Sequence, residues 1–263
     1  MTPCLFSIIL PTHHRPQLLR RSLDSLCRQT FVDFELIIVD DTGADLPPCP
    51  ELQALRGRYQ YIIRDGAAGP AESRNRGLDL AQAPYVLFLD DDDTFEPTHL
   101  QSMAAAIQHS QAAIYFCNGQ VQQEDRTVWP PTPLAVQEIW LADVTRHHLY
   151  LANHIPNSCL AFRRDVVAQI RFDPTLPVLE DWAFLLACLA GHELQHVPVR
   201  SVVIHKPLAN HPGHVGRDQT RDLDCVEVIR RIYAAYPASG QEIQQARQAL
   251  FEWAGVPLEV RQV

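Results

Sequence analysis

Up to residue 97 the chain alternates short apolar runs with stretches of helical period, and this alternation constrains its fold more than any other feature. Phe6-Ser7-Ile8-Ile9-Leu10 reads as a first strand closed by Pro11-Thr12, and over residues 16–29 the apolar Leu18, Leu19, Leu23 and Leu26 recur at helical spacing. Phe34-Glu35-Leu36-Ile37-Ile38-Val39 reads as a second strand, which completes a βαβ unit and predicts an α/β fold with a mainly parallel sheet. An irregular loop at Pro47, Pro48 and Pro50 leads to a third strand over residues 59–63, a helix over 71–80 and a fourth strand over 85–89. After Pro97 the pattern loosens. It predicts a helix over 98–109, a strand over 113–118, a Pro-rich stretch at 130–133, a strand near 158–162, an apolar helix over 181–189 and a helical tail over 221–236.

In open α/β sheets ligands sit beyond the carboxyl ends of the strands. The residues there are Thr12, His13, His14 and Arg15, then Asp40 and Asp41, then Asp90-Asp91-Asp92-Asp93. No G-x-G-x-x-G turn and no G-K-[ST] follows a strand, so neither a dinucleotide fold nor a P-loop is supported. Four adjacent carboxylates resist ionising together, because like charges raise one another's pKa. A cation relieves this. Hard oxygen ligands suit Mg²⁺ or Mn²⁺, which take one or two protein carboxylates and fill the remaining positions with water and substrate phosphate. A solvated acidic loop is the competing account, but it has no reason to begin at the mouth of a buried strand.

Composition narrows the partners. A net charge of -9 argues against nucleic acid, which requires clustered Lys and Arg. Seven scattered cysteines, none in a Cys-x-x-Cys pair, fit a reducing cytoplasm better than a disulfide framework or a thiolate zinc site. No signal peptide is read, and no apolar run approaches the ~20 residues that span a bilayer.

Ser7-Ile8-Ile9-Leu10-Pro11-Thr12, Val39-Asp40-Asp41, Ser73-Arg74-Asn75-Arg76-Gly77, Phe88-Leu89-Asp90-Asp91-Asp92-Asp93 and Glu180-Asp181 stand in one order. Together they resemble the motif series of family 2 glycosyltransferases with the GT-A fold, over roughly the first 210 residues. The resemblance implies a Rossmann-like nucleotide-sugar-binding half at 1–97, an acceptor and catalytic half at 98–218 and a helical C-terminal segment at 219–263. It also implies inverting transfer of a monosaccharide from a nucleotide diphosphate-sugar, a UDP-sugar, to a hydroxyl of a glycan or lipid-linked acceptor. A lipid-linked acceptor leaves peripheral membrane contact open.

By the same resemblance, Thr12 and Asp40 line the nucleobase pocket. From their places after the strands, Asp41 and Arg15 are further candidates for the nucleotide, with a surface role competing for His13, His14 and Arg15. Asp90 lies near the ribose, Asp92 holds Mn²⁺ or Mg²⁺, and Asp91 fills the variable place. A run of four aspartates also admits a one-residue shift. Arg74 pairs with the nucleotide or an aspartate, Asp181 is the base, and His205 is a further metal or diphosphate contact. Lys206 and Arg217 are candidates for charge on the phosphates.

Plainer roles compete at each position. Asp40 and Asp41 could cap a turn, Glu180-Asp181 could cap a helix, Arg74 could be an exposed helix arginine, and His205, His211 and His214 could be loop histidines. Trp129, Trp140 and Trp182 are candidates for stacking on sugars, with core burial expected for at least two. A sugar nucleotidyltransferase would expect a Gly-rich loop after the first strand, which Pro11-Thr12-His13-His14-Arg15 lacks. A non-catalytic nucleotide or sugar binder is the other alternative.

Overall fold

The computed structural model describes residues 4–43, 48–66, 69–208, 222–238 and 240–253. Strands β1 (Phe6–Thr12) and β2 (Phe34–Asp40) are buried along their whole length and pair in parallel, Phe6 opposite Phe34 through Thr12 opposite Asp40. Uninterrupted apolar runs are what a strand covered on both faces requires. Helix α1 (Pro16–Cys27) joins them, with Pro16 in its first turn, where no amide partner is lost, and Leu19, Leu23 and Leu26 buried. Short helix α2 (Pro50–Ala54) interrupts the Pro-rich loop, and β3 (Tyr59–Ile63) adds to β2 in parallel.

Helix α3 (Gly69–Leu80) packs on β1, and Gly77 is what allows the approach. A Cβ added there would stand 2.3 Å from Ile9 Cγ2. Strand β4 (Tyr85–Phe88) flanks β1 on its other side, so four neighbouring parallel strands deliver their carboxyl ends to one edge.

The second half extends this sheet in mixed sense. Strand β5 (Thr94–Phe95) and helix α4 (His99–His109) lead into β6 (Ile114–Asp125), much longer than the 113–118 run expected. The Pro-rich stretch opens β7 (Thr132–Ile139), which pairs antiparallel with β6 and was not anticipated. Helix α5 (Arg146–Leu151) and a 3-10 turn (Asn157–Cys159) precede β8 (Leu160–Arg163), which runs antiparallel to both β4 and β6. Helix α6 (Arg164–Val167), helix α7 (Glu180–Leu189) and β9 (Leu194–Pro207) follow, and β9 pairs in parallel with β6. The order β3-β2-β1-β4-β8-β6-β9-β5, with β7 on β6, is one nine-stranded sheet among the described residues.

Helices α8 (Asp222–Ala235) and α9 (Gln241–Trp253) form the tail, tied down by buried Arg247, which donates to the Tyr150 and Tyr236 carbonyls. No helix among the described residues is long and apolar enough to cross a membrane.

Candidate active site

The 90–93 turn is clamped from beneath. The Ser22 hydroxyl contacts the carbonyls of Asp91 and Asp93, and the Asp93 amide donates to the Asp90 carbonyl at 3.0 Å. Its four carboxylates then separate into different environments. Asp91 is buried, accepts from the Thr12 hydroxyl at 2.8 Å and meets Arg15 at 3.2 Å. Burial first, then the charge of Asp92, pushes its pKa up to about 7. Asp93 is buried against the Ser158 hydroxyl at 2.6 Å, and burial with the charges of Asp92 and Asp90 raises its pKa well above the usual range.

Asp90 and Asp92 open to solvent, their side chains 34% and 21% exposed. Burial opposes the Asp90 charge, but the Arg74 guanidinium at 2.7 Å overrides it and lowers the pKa. Asp92 faces Arg15 at 3.6 Å and Arg126 at 3.4 Å.

Arg74 is not an exposed helix arginine. It is buried, lies over the Phe172 ring at 5.3 Å, and donates 2.7 Å bonds to both Asp90 and Glu180. Asn75 beside it exchanges two 2.8 Å bonds with the backbone of Phe172. Thus α3 joins the strand-end turn to the start of α7. There Asp181 accepts from Asn153 at 3.1 Å and from the Trp182 amide at 2.8 Å. Burial and neighbouring Glu180 push its pKa up to about 6. Leu179, just before Glu180, has φ of 61°, and His14, just before Arg15, has φ of 52°. Left-handed non-glycine residues cost of order 1–3 kcal/mol each and persist where surrounding structure fixes them.

At the end of β2, Asp40 accepts from the Tyr61 hydroxyl and from the Thr42 amide at 2.9 Å, so it does cap a turn, while Asp41 pairs with Arg64 at 3.3 Å. His205 is buried on β9. One ring nitrogen lies 3.0 Å from the Thr94 hydroxyl, and the other lies 3.1 Å from Glu124 and 3.4 Å from Gln122. As a metal ligand it would have to release one of these contacts. Glu124 also takes Arg21 at 2.8 Å and Arg126 at 2.6 Å, and despite burial these partners hold its pKa down at about 2. His211, His214 and Arg217 lie outside the described residues.

No group of three or more His, Cys, Asp or Glu among the described residues forms a ready metal cage. The two accessible carboxylates at 90 and 92 are instead the donor set expected for Mg²⁺ or Mn²⁺ completed by water and phosphate.

A profile of the family described as "Glycosyl transferase family 2" matches residues 7–171. The chain belongs to this family. It is a glycosyltransferase. Similar proteins include the amylovoran biosynthesis glycosyltransferase AmsB of Erwinia amylovora, 27% identical over 78% of this chain and 69% of that protein. The succinoglycan biosynthesis protein ExoW of Rhizobium meliloti (strain 1021) is 30% identical over 70% of this chain, which spans 63% of its length. A PGL/p-HBAD biosynthesis glycosyltransferase of Mycobacterium tuberculosis is 30% identical over 76% of this chain and 77% of its own. In fold, the glycosyltransferase resembles S. aureus TarS 1-349 in complex with UDP-GlcNAc, with TM-score 0.69, 20% identity, and 94% and 71% of the two chains covered.

In this glycosyltransferase Thr12, Arg15, Arg74 and the four aspartates form one connected cluster, which Arg74 extends to Glu180. The carboxylates of Asp40 and Asp41 turn to Tyr61 and Arg64, while the Asp41 amide donates to the Thr12 carbonyl at 3.1 Å. Sequence reasoning missed Arg21, Glu124, Arg126, Asn153 and Ser158. The one available signal was Ser22 and Ser25, polar residues on the buried stripe of α1 beside Arg21. Of Trp129, Trp140 and Trp182, only Trp182 is buried, its Nε1 donating to the Leu149 carbonyl at 2.7 Å; Trp129 and Trp140 are exposed, against expectation.

Proposed function

We propose that this glycosyltransferase moves a monosaccharide, with inversion, from a UDP-sugar to a hydroxyl of a glycan or lipid-linked acceptor in polysaccharide biosynthesis. The observation that carries this reading is the Arg74 bridge, since one buried guanidinium ties the donor-side Asp90 to Glu180, the neighbour of Asp181. Asp181, with its pKa about 6, is ionised at neutral pH yet basic enough to accept a proton. Its carboxylate takes the proton of the acceptor hydroxyl as that oxygen bonds to the anomeric carbon. The bond to the diphosphate oxygen breaks, and the diphosphate leaves with the electron pair.

Asp92, with Asp90 beside it, would hold Mn²⁺ or Mg²⁺, which when bound supplies charge stabilisation for the departing diphosphate. Arg15 and Arg126, both within 4 Å of Asp92, are suited to meet the phosphate oxygens. Thr12 and Asp40, at the ends of β1 and β2, are the proposed nucleobase contacts. Support for uridine comes from TarS, solved with UDP and with UDP-GlcNAc. The polysaccharide role rests on the names of the amylovoran and succinoglycan proteins.

Calorimetric titration with UDP-, GDP- and dTDP-sugars, with and without Mn²⁺, tests the donor side. Metal-dependent binding of a UDP-sugar with slow hydrolysis is expected. Binding of none of them overturns the reading.

A further inference from the structure

We propose that the β6–β7 hairpin is an acceptor platform that takes an extended saccharide. This rests on the transferase reading above and names its acceptor class. Strand β6 uses one edge twice, pairing with β8 at Ile114–Phe116 and with β7 from Gly119 to Asp125, while β9 occupies its other edge throughout. Strand β8 begins directly after the 3-10 turn whose Ser158 holds Asp93. Strand β7 therefore continues past the carboxyl end of β4, on the side of β6 where β8 and β4 lie. No strand among the described residues pairs with its outer edge.

Register fixes which face is presented. His205 contacts Gln122 and Glu124, and Gln122 lies opposite Val136. Residues two apart share a face. Val136 and Glu138 are thus on the face that carries His205, Glu124 and, through Arg126, the approach to Asp92.

That face carries an unusual surface. Val136 is 55% exposed and Trp140, which reaches Glu138, is 66% exposed; elsewhere on the hairpin Leu134, the extra residue of the bulge, is 51% exposed and Trp129, in its turn, 48%. Polar groups interleave with them. The Trp140 Nε1 donates to Glu138 at 3.0 Å, and Arg200 donates to Glu138 at 3.2 Å and to Gln120 at 2.5 Å. Exposed apolar clusters mark interaction sites. Indole faces beside a carboxylate, a guanidinium and amides match a saccharide, which offers C–H faces flanked by hydroxyls. A lipid chain would want unbroken apolar surface, and a second copy pairing along β7 would meet Pro133 and the extra residue Leu134, which has no partner on β6.

The test uses a broad array of immobilised bacterial saccharides, followed by calorimetry on those retained, with UDP affinity as a separate donor-side readout. Wild-type protein should prefer oligosaccharides to monosaccharides. Trp140→Ala should weaken that binding at least tenfold and Trp140→Phe less than threefold, with UDP affinity unchanged in both. Retention of no saccharide, equal binding by Trp140→Ala, or tighter binding of decyl glucoside than of any oligosaccharide overturns the proposal. Loss of UDP binding in the wild type would instead count against the transferase reading.

Discussion

Two acidic clusters face one another, the 90–93 turn and the Glu180-Asp181 start of α7, and the same residue type behaves differently in each. In the turn, arginines and hydroxyls sort four carboxylates into two buried with raised pKa, Asp91 and Asp93, and two that reach solvent, Asp90 and Asp92. At α7, one carboxylate, Glu180, is paired with Arg74, and its neighbour Asp181 has only neutral donors. A carboxylate among cations stays ionised and is a weak base; one among neutral groups in a half-buried place is the more basic of the two. The difference is set by burial and by how closely the arginines approach, since Asp91 beside Arg15 is still raised by burial and by Asp92.

The largest expected effect follows from breaking the basic cluster. Asp181→Asn keeps the size and the Asn153 contact but removes proton acceptance, so transfer should fall about a hundred- to ten-thousand-fold. UDP-sugar affinity should not change. Turnover near the wild-type rate would show that the proton goes elsewhere.

Cutting the bridge should be felt as stability. Arg74→Met leaves Glu180 without its partner in a largely buried place, while Asp90 reaches solvent, so the loss should fall below the about 3–5 kcal/mol of a fully buried pair, at about 2–3 kcal/mol. Denaturant unfolding measures it. A loss below about 1 kcal/mol would mean that the two clusters are held apart without Arg74.

The two clusters were not equally legible in the sequence. Residues 90–93 follow a run of apolar residues that can only be a covered strand, so position alone marked them. Glu180-Asp181 and Arg74 needed the family motif, because acidic residues at a helix start have a common capping role. The partners that tune both clusters were beyond reading. Glu124 meets Arg21 across 103 residues and depends on β6 continuing to Asp125, well past its apolar stretch. The hairpin strand β7 was missed for a related reason. It is exposed on both faces, so Thr132–Ile139 carries no alternation of apolar and polar residues from which a strand could be read.

A milder change, pH, should separate the clusters without mutation. With Asp181 at about 6 and in the proposed role of base, transfer should fall about tenfold per unit as pH drops below 6, because its carboxylate becomes protonated. UDP-sugar binding, governed on the protein side by other groups, should not follow that curve. A rate–pH profile flat from 7 to 5 would remove Asp181 from the rate equation.

The smallest effect tests why Asp181 sits at that value. Asn153 donates to its carboxylate at 3.1 Å and so favours the ionised form, against burial and Glu180. Asn153→Ala removes that donor while leaving Glu180 and Arg74 in place. The Asp181 pKa should then rise, and the acid limb of the rate–pH profile should move to higher pH by less than about one unit, a shift of about 1.4 kcal/mol at most. At pH well above the limb the variant should approach the wild-type rate. A limb that stays put, or moves to lower pH, would mean that burial and Glu180 alone set the basicity of α7.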